Sequence, residues 1–392
     1  MHNSFSFNFK DSDTALAPTI NDNLGNIMTT NDHSPFPFGH IDYEEVKFSS
    51  CEVFDVLSEI NEKKSSSDVL PNKIIKLLAF SCCNVITHIF NHICHEKIWP
   101  IEWKKADVIP LPKTSPPDFK NIRPISVLST LNKCLEQLFK TRILPHYLKY
   151  IDACQFGFIP SGSTSSALIA ILHKAYSLLD NVKIVAISLI SFDIRKAFDR
   201  VNHSLLLSKL SKILPHNFVS ILASYLSQRK QRVKINNSYS KYININCGVP
   251  QGSVLSPILF GFFISDLQTF NSSSCFKYAD DSTFVIPHFK QDITPDIKEV
   301  ANHMLKWCTA NKLELNFAKT QLLTVKKSQN IIYTEINSIK QMENIKILGI
   351  TLNKNLKWDN NTLAKTKSAS SYLYLFRKFR NVLFKLLLRN GK

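Results

Sequence analysis

Apolar residues recur at helical spacing over much of the chain. Val53, Val56, Leu57 and Ile60 follow the i, i+3, i+4, i+7 pattern, which predicts an amphipathic helix over residues 52–63. Similar patterns predict further helices over 71–95, 132–150, 163–179, 203–213, 217–226, 253–267, 294–310 and from 363 onward. Residues 1–45 show no such period and are rich in Asn, Ser, Asp, Thr and Pro, so we expect them to be irregular.

Apolar runs of strand length lie between these helices. Residues 185–192 form a continuous apolar run that ends at Asp193, which is typical of a buried central strand. Residues 275–286 are apolar on both sides of Asp280-Asp281, which predicts two strands that meet at a tight turn. Weaker patterns predict strands over 107–111 and 345–352 and a hairpin over 233–245.

The composition favours a folded, nucleic-acid-binding class of protein. The 392 residues are 44% hydrophobic, enough for two to three domain-sized units. Lys and Arg number 48 against 31 Asp and Glu, a formal net charge of +17. This surplus favours a polyanionic partner, although a merely soluble basic surface is the alternative, because the charge is spread along the chain.

Cysteine usage and the absence of targeting signals predict an intracellular protein. The nine cysteines form no CxxC pair, so a reducing environment is expected. The N-terminus has no secretory signal pattern, and no apolar run is long enough to cross a bilayer. We therefore expect a cytoplasmic or nuclear location and no membrane partner.

Three histidines, His88, His92 and His95, share a helix face beside Cys94. A zinc site is one hypothesis, but no second ligand cluster follows at zinc-finger spacing. A helix face packed against the core is the favoured interpretation.

Two acidic positions lie in apolar surroundings at predicted strand ends. Asp193 ends one strand, and Asp280-Asp281 interrupts another apolar stretch. Carboxylates in such surroundings are costly unless they are ionised and paired with a cation. Three carboxylates from two neighbouring strands would hold two Mg²⁺ ions, which can activate a 3′-hydroxyl and stabilise a leaving pyrophosphate. An ordinary turn is the alternative for Asp280-Asp281.

The surrounding segments decide between these alternatives. Residues 192–203 run Phe-Asp-Ile-Arg-Lys-Ala-Phe-Asp-Arg-Val-Asn-His, residues 248–257 run Gly-Val-Pro-Gln-Gly-Ser-Val-Leu-Ser-Pro, and residues 278–281 run Tyr-Ala-Asp-Asp. In this order they resemble motifs A, B and C of retrotransposon reverse transcriptases. The blocks at 123–125, 155–158 and 348–349 add to the resemblance. It spans residues 53–352 and is strongest to the jockey-like group of elements without long terminal repeats.

The resemblance implies an α+β fold, a right-hand polymerase with fingers, a palm whose antiparallel sheet packs on helices, and a partial helical thumb. We accordingly expect an irregular lead-in over 1–45, a helical extension over 46–100, fingers and palm over 101–353 and the partial thumb over 354–392. The implied enzyme is an RNA-directed DNA polymerase, a nucleotidyltransferase. It would extend a DNA primer on an RNA template with deoxynucleoside triphosphates and two Mg²⁺ ions, or Mn²⁺ in their place. The oligomeric state is not predicted.

The resemblance assigns metal and proton chemistry to five residues. Asp193 and Asp280 become the principal metal ligands with Asp281 beside them, and the backbone carbonyl of Ile194 completes the second metal. Lys319 matches the motif D lysine that protonates the leaving pyrophosphate. A strand-end cap is the alternative for Asp193, and a surface lysine is the alternative for Lys319.

Nucleotide selection falls to the residues around motifs A and B. Phe198 lies five residues after Asp193, where related RNA polymerases have an acidic residue that contacts the ribose 2′-hydroxyl. A ring there would exclude ribonucleotides, and the alternative is a core aromatic. Gln251 and Gly252 match the residues that contact the incoming nucleotide, and the alternative is a helix N-terminus capped by Ser253.

Lys113 and Arg123 match finger residues that bind the triphosphate, and a solvated pair of cations is the alternative. The hairpin around residues 345–352 resembles the one that holds the primer end. The basic tail predicts a thumb helix along phosphates rather than a membrane-surface helix.

Some positions depart from the family pattern. Ile159 stands where Arg is usual, and Ser161 and Gly162 replace a Gly and a basic residue, which weakens the expected template contacts. Ser65-Ser66-Ser67 replaces a Gly-containing turn. Family members usually carry an upstream endonuclease and a longer thumb, so a truncated, non-catalytic nucleic-acid-binding remnant is the second hypothesis. A group II intron maturase is the third, and it would require a further domain.

Overall fold

The computed structural model describes residues 11–30, 45–62, 70–113, 122–290, 297–327 and 339–389, with side chains in the last helix described as far as residue 380. The chain divides into two compact units. The larger unit consists of Met1–Gly162, Ile194–Gln268 and Leu305–Leu315, and the smaller unit consists of Ser163–Asp193, Thr269–Met304 and Asn316–Lys392.

In chain order the helices are α1 (Ala17–Met28), α2 (Ser50–Ser58), α3 (Asn72–Leu77), α4 (Ala79–Glu96), α5 (Thr130–Tyr150), α6 (Thr164–Asp180), α7 (His203–Leu210), α8 (His216–Leu226), α9 (Ser256–Ile264), α10 (Ile297–Ala310) and α11 (Asp359–Arg389). The strands are β1 (Lys105–Pro112), β2 (Ile122–Val127), β3 (Ile184–Phe192), β4 (Arg229–Ile235), β5 (Ser238–Tyr239), β6 (Ile243–Ile245), β7 (Ser274–Tyr278), β8 (Asp281–Phe289), β9 (Gln321–Lys326), β10 (Lys340–Gln341), β11 (Asn344–Ile347) and β12 (Ile350–Asn353). Short 3-10 helices cover Asp11–Leu16, Ile101–Lys104 and Phe198–Arg200.

The larger unit contains a mixed sheet beside a set of helices. β1 pairs antiparallel with β2 and parallel with β4, and β4 pairs antiparallel with β5 and β6. One face of this sheet packs on α1 through an apolar cluster of Ala17, Ile20, Leu24, Val108, Ile122, Val233 and Ile235. Elsewhere in this unit Trp99 packs edge-on against Tyr225, with ring centroids 5.0 Å apart, so bulky aromatic side chains fill the helical core.

The smaller unit is built on a sheet in the order β10-β9-β3-β8-β7. β3 pairs antiparallel with both β8 and β9, and β7 with β8, while the short β10 runs parallel to β9. Helix α6 packs across β3, β7 and β8. The central strand β3 is buried along most of its length, because neighbouring strands flank it on both sides.

These elements confirm the predicted α+β class with an antiparallel sheet packed on helices. The predicted buried strand is β3, the strands around Asp280-Asp281 are β7 and β8, and the predicted hairpin is β4 with β5. Within the described ranges, every helix is too short or too polar to cross a lipid bilayer.

The expectation of irregular structure over 1–45 is wrong for residues 11–28, which form a 3-10 helix and α1. The helical period is hidden because two of the buried positions carry Asn21 and Gly25. The Asn21 amide donates to the Lys241 carbonyl at 2.8 Å, and an added Cβ at Gly25 would lie 2.6 Å from the Ile243 side chain. A polar and a small residue therefore occupy positions where the pattern calls for apolar ones.

Two other predictions need correction. The helix predicted from residue 253 begins at Ser256, because the backbone of residues 254 and 255 is bonded to the side chain of Glu136 instead. The strand predicted over 345–352 is a hairpin of β11 and β12, because Leu348 and Gly349 both take positive φ values of 48° and 87° at the turn. The first three residues of the helix predicted over 294–310 lie outside the described residues.

Candidate active site

Strand register brings the acidic residues of the smaller unit to one end of its sheet. Phe192, the last residue of β3, pairs with Ser282 of β8, so Asp193 follows directly beside the start of β8. Tyr278 of β7 pairs with Asp281, which leaves Ala279 and Asp280 as the two residues of a tight hairpin loop. Ala279 adopts φ 54°, a left-handed conformation that costs energy for a residue with a Cβ.

The carboxylates at this end of the sheet repel one another. Burial, and then the charges of Asp280 and Asp193, together raise the pKa of Asp281 to about 6. Asp193 is half-buried, and Asp280 and Asp281 each keep part of their surface in solvent, although protein atoms partly desolvate the Asp281 carboxylate. Three like charges are therefore gathered in a place where a cation would relieve their repulsion.

Asn316 holds Asp193 in place with two hydrogen bonds. Its side-chain Nδ2 donates to Oδ2 of Asp193 at 2.8 Å, and its backbone N–H donates to the Asp193 carbonyl at 2.8 Å. Asn316 is itself buried, and its carbonyl accepts the backbone N–H groups of Lys319 and Thr320. The side-chain amide of Asn316 therefore bonds only Oδ2 of Asp193 and does not use Oδ1.

The donor set fits divalent cations. Carboxylate oxygens are the hard ligands that Mg²⁺ prefers, and this ion commonly uses one or two carboxylates with water and phosphate oxygens completing its octahedron. Among the described residues, no three His, Cys, Asp or Glu side chains are arranged around one point as a closed metal cage. The aspartates are thus neighbours at one end of the sheet rather than a closed cage.

The zinc hypothesis for the α4 histidines gains no support from the described residues, which hold no such ligand set. The favoured interpretation of a face packed against the core is also wrong for the histidines, since His88, His92 and His95 are exposed and line an open groove of about 420 Å³ with Cys94. Burial raises the pKa of the Cys94 thiol to about 12, so it stays protonated and is a poor metal ligand.

Two further features of the smaller unit lie close to the acidic end of the sheet. A small cleft beside Asp281 is lined by Tyr278 and by Leu348, from the turn between β11 and β12. Lys319 lies exposed, three residues after Asn316 and hydrogen-bonded to its carbonyl through the backbone. The predicted primer hairpin and the predicted motif D lysine therefore belong to the same unit as the aspartates.

In the larger unit, motifs A and B run side by side. The backbone N–H of Val249 donates to the Phe198 carbonyl at 2.9 Å, and that of Gly248 donates to the Val201 carbonyl at 2.7 Å. Gly248 has φ 83°, and an added Cβ would lie 2.6 Å from the Asp199 carbonyl oxygen, so only glycine fits. Burial lowers the pKa of His203 to about 4, and its neutral ring bonds the Gly248 carbonyl at 2.7 Å.

A buried carboxylate links these two motifs. Gln251 Nε2 donates to Oδ1 of Asp199 at 2.7 Å. Burial raises the pKa of Asp199 to about 6, against the opposing influence of that hydrogen bond and of the Lys196 and Lys113 charges. The predicted nucleotide contacts Gln251 and Lys113 thus lie around one carboxylate, that of Asp199.

Gly252 packs closely against the backbone of β2. It has φ 128°, and an added Cβ would lie 2.4 Å from the Ser126 carbonyl oxygen in β2. Beside it, the Ser126 N–H donates to the Gln251 carbonyl at 2.7 Å. The structure therefore explains Gly252 by the contact between the motif B loop and β2.

Glu136 of α5 caps the motif B loop from inside the protein. It is fully buried, and its Oε2 accepts the Ser253 hydroxyl at 2.7 Å and the backbone N–H groups of Val254 and Leu255 at 2.6 and 3.4 Å. Its Oε1 accepts the Asn132 amide at 2.7 Å and the Tyr225 hydroxyl at 3.1 Å. Ser253 is not the N-cap of α9, which is Leu255, but its Oγ accepts the backbone N–H groups of Leu255 and Ser256 at 3.0 and 3.2 Å.

Phe198 belongs to an aromatic cluster and remains half-buried. Its ring stacks on Phe260, with centroids 4.4 Å apart and an interplanar angle of 15°, and lies edge-on to Phe158 at 5.9 Å. These contacts fix the orientation of the ring.

The remaining predicted residues are Arg123 and Ile194. Arg123 is exposed on β2 opposite Leu111, and Ile194 is buried and forms an isolated bridge with Leu315. Next to that bridge, Glu314 forms ion pairs with Arg195 and Arg200, which fasten the motif A loop.

Three residues in these networks were not predicted as functional: Asp199, Glu136 and Asn316. Glu136 had one usable signal, since it shares a helix face with Asn132 and with the inward residue Ile143, and a carboxylate on a buried face needs several donors. Asn316 had none, because its partner lies 123 residues away in the chain.

Comparisons with known proteins show the family of this chain. Residues 103–352 match the family model described as reverse transcriptase (RNA-dependent DNA polymerase). The chain is 30% identical over 345 residues to the RNA-directed DNA polymerase from the mobile element jockey of Drosophila melanogaster, covering 82% of this chain and 37% of that protein. It is 29% identical over 338 residues to the probable RNA-directed DNA polymerase from transposon BS of the same organism, covering 81% and 37%.

The chain therefore belongs to the reverse transcriptase family, and the predicted resemblance to jockey-like elements is confirmed. It spans little more than a third of the length of these two relatives. Among solved structures, telomerase from Candida tropicalis with a fragment of telomeric RNA aligns with a TM-score of 0.47 and 14% identity over 75% of this chain and 50% of that one. Reverse transcriptases as a family use divalent metal ions.

Proposed function

We propose that this chain is the RNA-directed DNA polymerase of a retrotransposon without long terminal repeats. It would extend a DNA primer on an RNA template with deoxynucleoside triphosphates. One observation carries the proposal: the pairing of Phe192 with Ser282 brings Asp193 beside the start of β8, close enough for the charges of Asp193 and Asp280 to raise the pKa of Asp281. Residues 101–353 would form the fingers and palm, and residues 354–392 part of the thumb.

Asp193, Asp280 and Asp281 would hold two Mg²⁺ ions, or Mn²⁺, with the Ile194 carbonyl as a further ligand of the second. Bound there, such ions lower the pKa of a primer 3′-hydroxyl and neutralise charge on the leaving pyrophosphate. Asn316 orients the Asp193 carboxylate, and Lys319 donates a proton to the pyrophosphate. The cleft between Tyr278 and Leu348 supports a role for the β11–β12 hairpin beside the primer end.

The nucleotide would be bound by residues of the larger unit. Lys113 and Arg123 supply positive charge for the triphosphate. The side-chain amide of Gln251, oriented by Asp199, faces the sugar or base, and Gly252 keeps the loop against β2. Because Glu136 fixes the loop backbone, the site would be preorganised before the nucleotide arrives.

Phe198 would select deoxynucleotides. Its ring is held by Phe260 and Phe158, so it cannot easily turn aside for a 2′-hydroxyl. A Phe198→Val variant should incorporate ribonucleotides more readily than the wild type while still using deoxynucleotides. Equal discrimination in both proteins would remove Phe198 from this role.

The proposal is tested by primer extension. The purified chain should incorporate deoxynucleotides on a primed RNA homopolymer when Mg²⁺ or Mn²⁺ is present, and Asp280→Asn should not. Incorporation that persists in Asp280→Asn would contradict the metal role. Salt-sensitive RNA binding without extension by the wild type would favour the second hypothesis, a non-catalytic nucleic-acid-binding remnant.

A further inference from the structure

The two faces of the sheet in the larger unit differ in chemistry. In β4 the side chains alternate, so that Val233 and Ile235 point into the apolar cluster on α1. The opposite face carries the half-exposed Lys230, Arg232 and Lys234. Parallel pairing with β1 places Lys105 opposite Lys230 and Asp107 opposite Arg232 on that same face. A row of cations therefore covers the face that α1 leaves open.

Two tyrosines are interleaved with these cations. The Arg232 guanidinium lies 4.1 Å from the Tyr239 ring centroid and 4.7 Å from that of Tyr242. Lys234 lies 5.2 Å from the Tyr239 centroid, and Lys105 lies 5.8 Å from that of Tyr242. The tyrosines are nevertheless 45% and 39% exposed. We call these six residues the Arg–Tyr surface: Lys105, Lys230, Arg232, Lys234, Tyr239 and Tyr242.

The arrangement is fixed in the folded chain. Asp107 accepts from Nε of Arg232 at 2.7 Å, and this hydrogen bond raises the pKa of Arg232. The guanidinium is thereby held between two rings instead of sampling many rotamers, which reduces the entropy that ligand binding would otherwise cost. The tyrosine rings form a rigid, partly open aromatic platform with lysines on both sides.

Cations beside exposed aromatic rings suit single-stranded nucleic acid. Lysines follow the phosphates, while unpaired bases stack on the rings, and such stacking tolerates any sequence. A duplex would present phosphates but hide its base faces, and an acidic peptide would use the cations but not the rings. The combination on one face therefore favours unpaired RNA or DNA over either of these.

We infer that the Arg–Tyr surface binds a single-stranded RNA segment, with Tyr239 and Tyr242 stacking on its bases. That the strand is RNA rests on the proposed function, since the template of a reverse transcriptase is RNA. The sheet also supports the nucleotide side of the site, because Ser126 of β2 bonds the Gln251 carbonyl. The Arg–Tyr surface would thus bind the template strand on the larger unit, which also carries the proposed nucleotide contacts.

Fluorescence anisotropy with a labelled, unstructured oligo(U) RNA tests this inference. The full chain is measured in EDTA without primer or nucleotide, so that catalysis plays no part. Tyr239→Ala/Tyr242→Ala should bind about tenfold or more weakly, because the variant loses both rings on which unpaired bases would stack. The matched Tyr239→Phe/Tyr242→Phe variant keeps both rings and should bind like the wild type. Lys230→Gln/Lys234→Gln should reduce the salt dependence by about 0.7 per lysine.

The outcomes separate this inference from the proposed function. Unchanged oligo(U) affinity in the alanine variant, with a wild-type circular dichroism spectrum, would overturn it. An equal loss of affinity for an RNA duplex would also overturn it, because stacking requires unpaired bases. If the wild type never extends a primer but the alanine variant still loses oligo(U) binding selectively, the proposed activity fails and the binding surface stands.

Discussion

Two carboxylates of this chain lie in opposite surroundings. Glu136 in the larger unit is fully buried, yet five donors surround it, from Asn132, Tyr225, Ser253, Val254 and Leu255. Asp281 in the smaller unit keeps part of its surface in solvent, but protein atoms partly desolvate its carboxylate and two neighbouring carboxylates oppose its charge, so its pKa is raised. A buried carboxylate that accepts several hydrogen bonds, such as Glu136, stabilises the fold. Carboxylates that lie together and repel one another, such as Asp281 and its neighbours, indicate a cation-binding site.

The largest expected effect is the loss of activity in Asp193→Asn. The asparagine can still accept the Asn316 amide hydrogen bond, so the fold should be unchanged. Loss of one metal-binding carboxylate should lower the primer-extension rate by about a thousandfold or more, since metal ions supply several kcal/mol of transition-state stabilisation. Rates and unfolding midpoints measured side by side check this. A variant that keeps its rate, or that unfolds, would contradict the assignment of Asp193 to metal binding rather than to stability.

Glu136→Ala should show the opposite behaviour. Removing this carboxylate leaves buried donors without an acceptor, so the free energy of unfolding should fall by about 3–5 kcal/mol. The matched Glu136→Gln variant keeps one acceptor oxygen and should lose less. Urea unfolding of the three proteins measures the difference. If Glu136→Ala were as stable as the wild type, the carboxylate would not be what holds the motif B loop.

Asn316→Ala should act through Asp193. A residue that orients a metal ligand typically affects metal affinity or activity by about 10–100-fold, so the Mg²⁺ concentration for half-maximal extension should rise within that range. Excess Mg²⁺ should restore much of the rate. Asn311→Ala is a matched control, since Asn311 is also buried but bonds the Trp307 carbonyl. A loss of rate that added Mg²⁺ does not restore would assign Asn316 to another role.

The smallest effect concerns Asp281→Asn without metal. The pKa of Asp281 in the folded chain is about 6, above its ordinary 3.8, so its charge costs the folded state stability as pH rises between these values. The variant should therefore be slightly more stable than the wild type at pH 7.5, by less than about 1 kcal/mol because the side chain is exposed. The gain should shrink as the pH falls towards 4. Differential scanning fluorimetry in EDTA measures it, and a less stable variant would contradict the cause given.

The sequence marks the acidic residues more clearly than it marks Asn316 and Glu136, which hold Asp193 and the motif B loop in place. Asp193, Asp280 and Asp281 stand out because each interrupts an apolar run, so local pattern and motif order were enough to mark them. The hydrogen bond from Asn316 to Asp193 and the bonds from the motif B loop to Glu136 join residues 123 and 117 or more positions apart. Such contacts depend on which elements pack together, which a local period does not encode.

The same limit explains the error at the N-terminus. Helix α1 buries Asn21 and Gly25 against the backbone and side chains of residues 241–243, so its inward face is not apolar throughout. By contrast, β3 is apolar because neighbouring strands flank it on both sides, and its limits were predicted within one residue. A hydrophobic pattern predicts an element where the buried side chains must be apolar. It does not predict the element where a buried polar side chain has a hydrogen-bond partner instead.

Cleavage of the chain by bound iron tests the central claim most directly. Fe²⁺ takes the place of Mg²⁺ at oxygen ligands, and with ascorbate and peroxide it generates radicals that cut nearby backbone. The wild type should be cut near residue 193 and near residues 280–281, with protection by excess Mg²⁺, while Asp193→Asn/Asp280→Asn should remain intact at both places. Cuts elsewhere in the chain, or an identical pattern in the double variant, would show that these aspartates do not share a metal site.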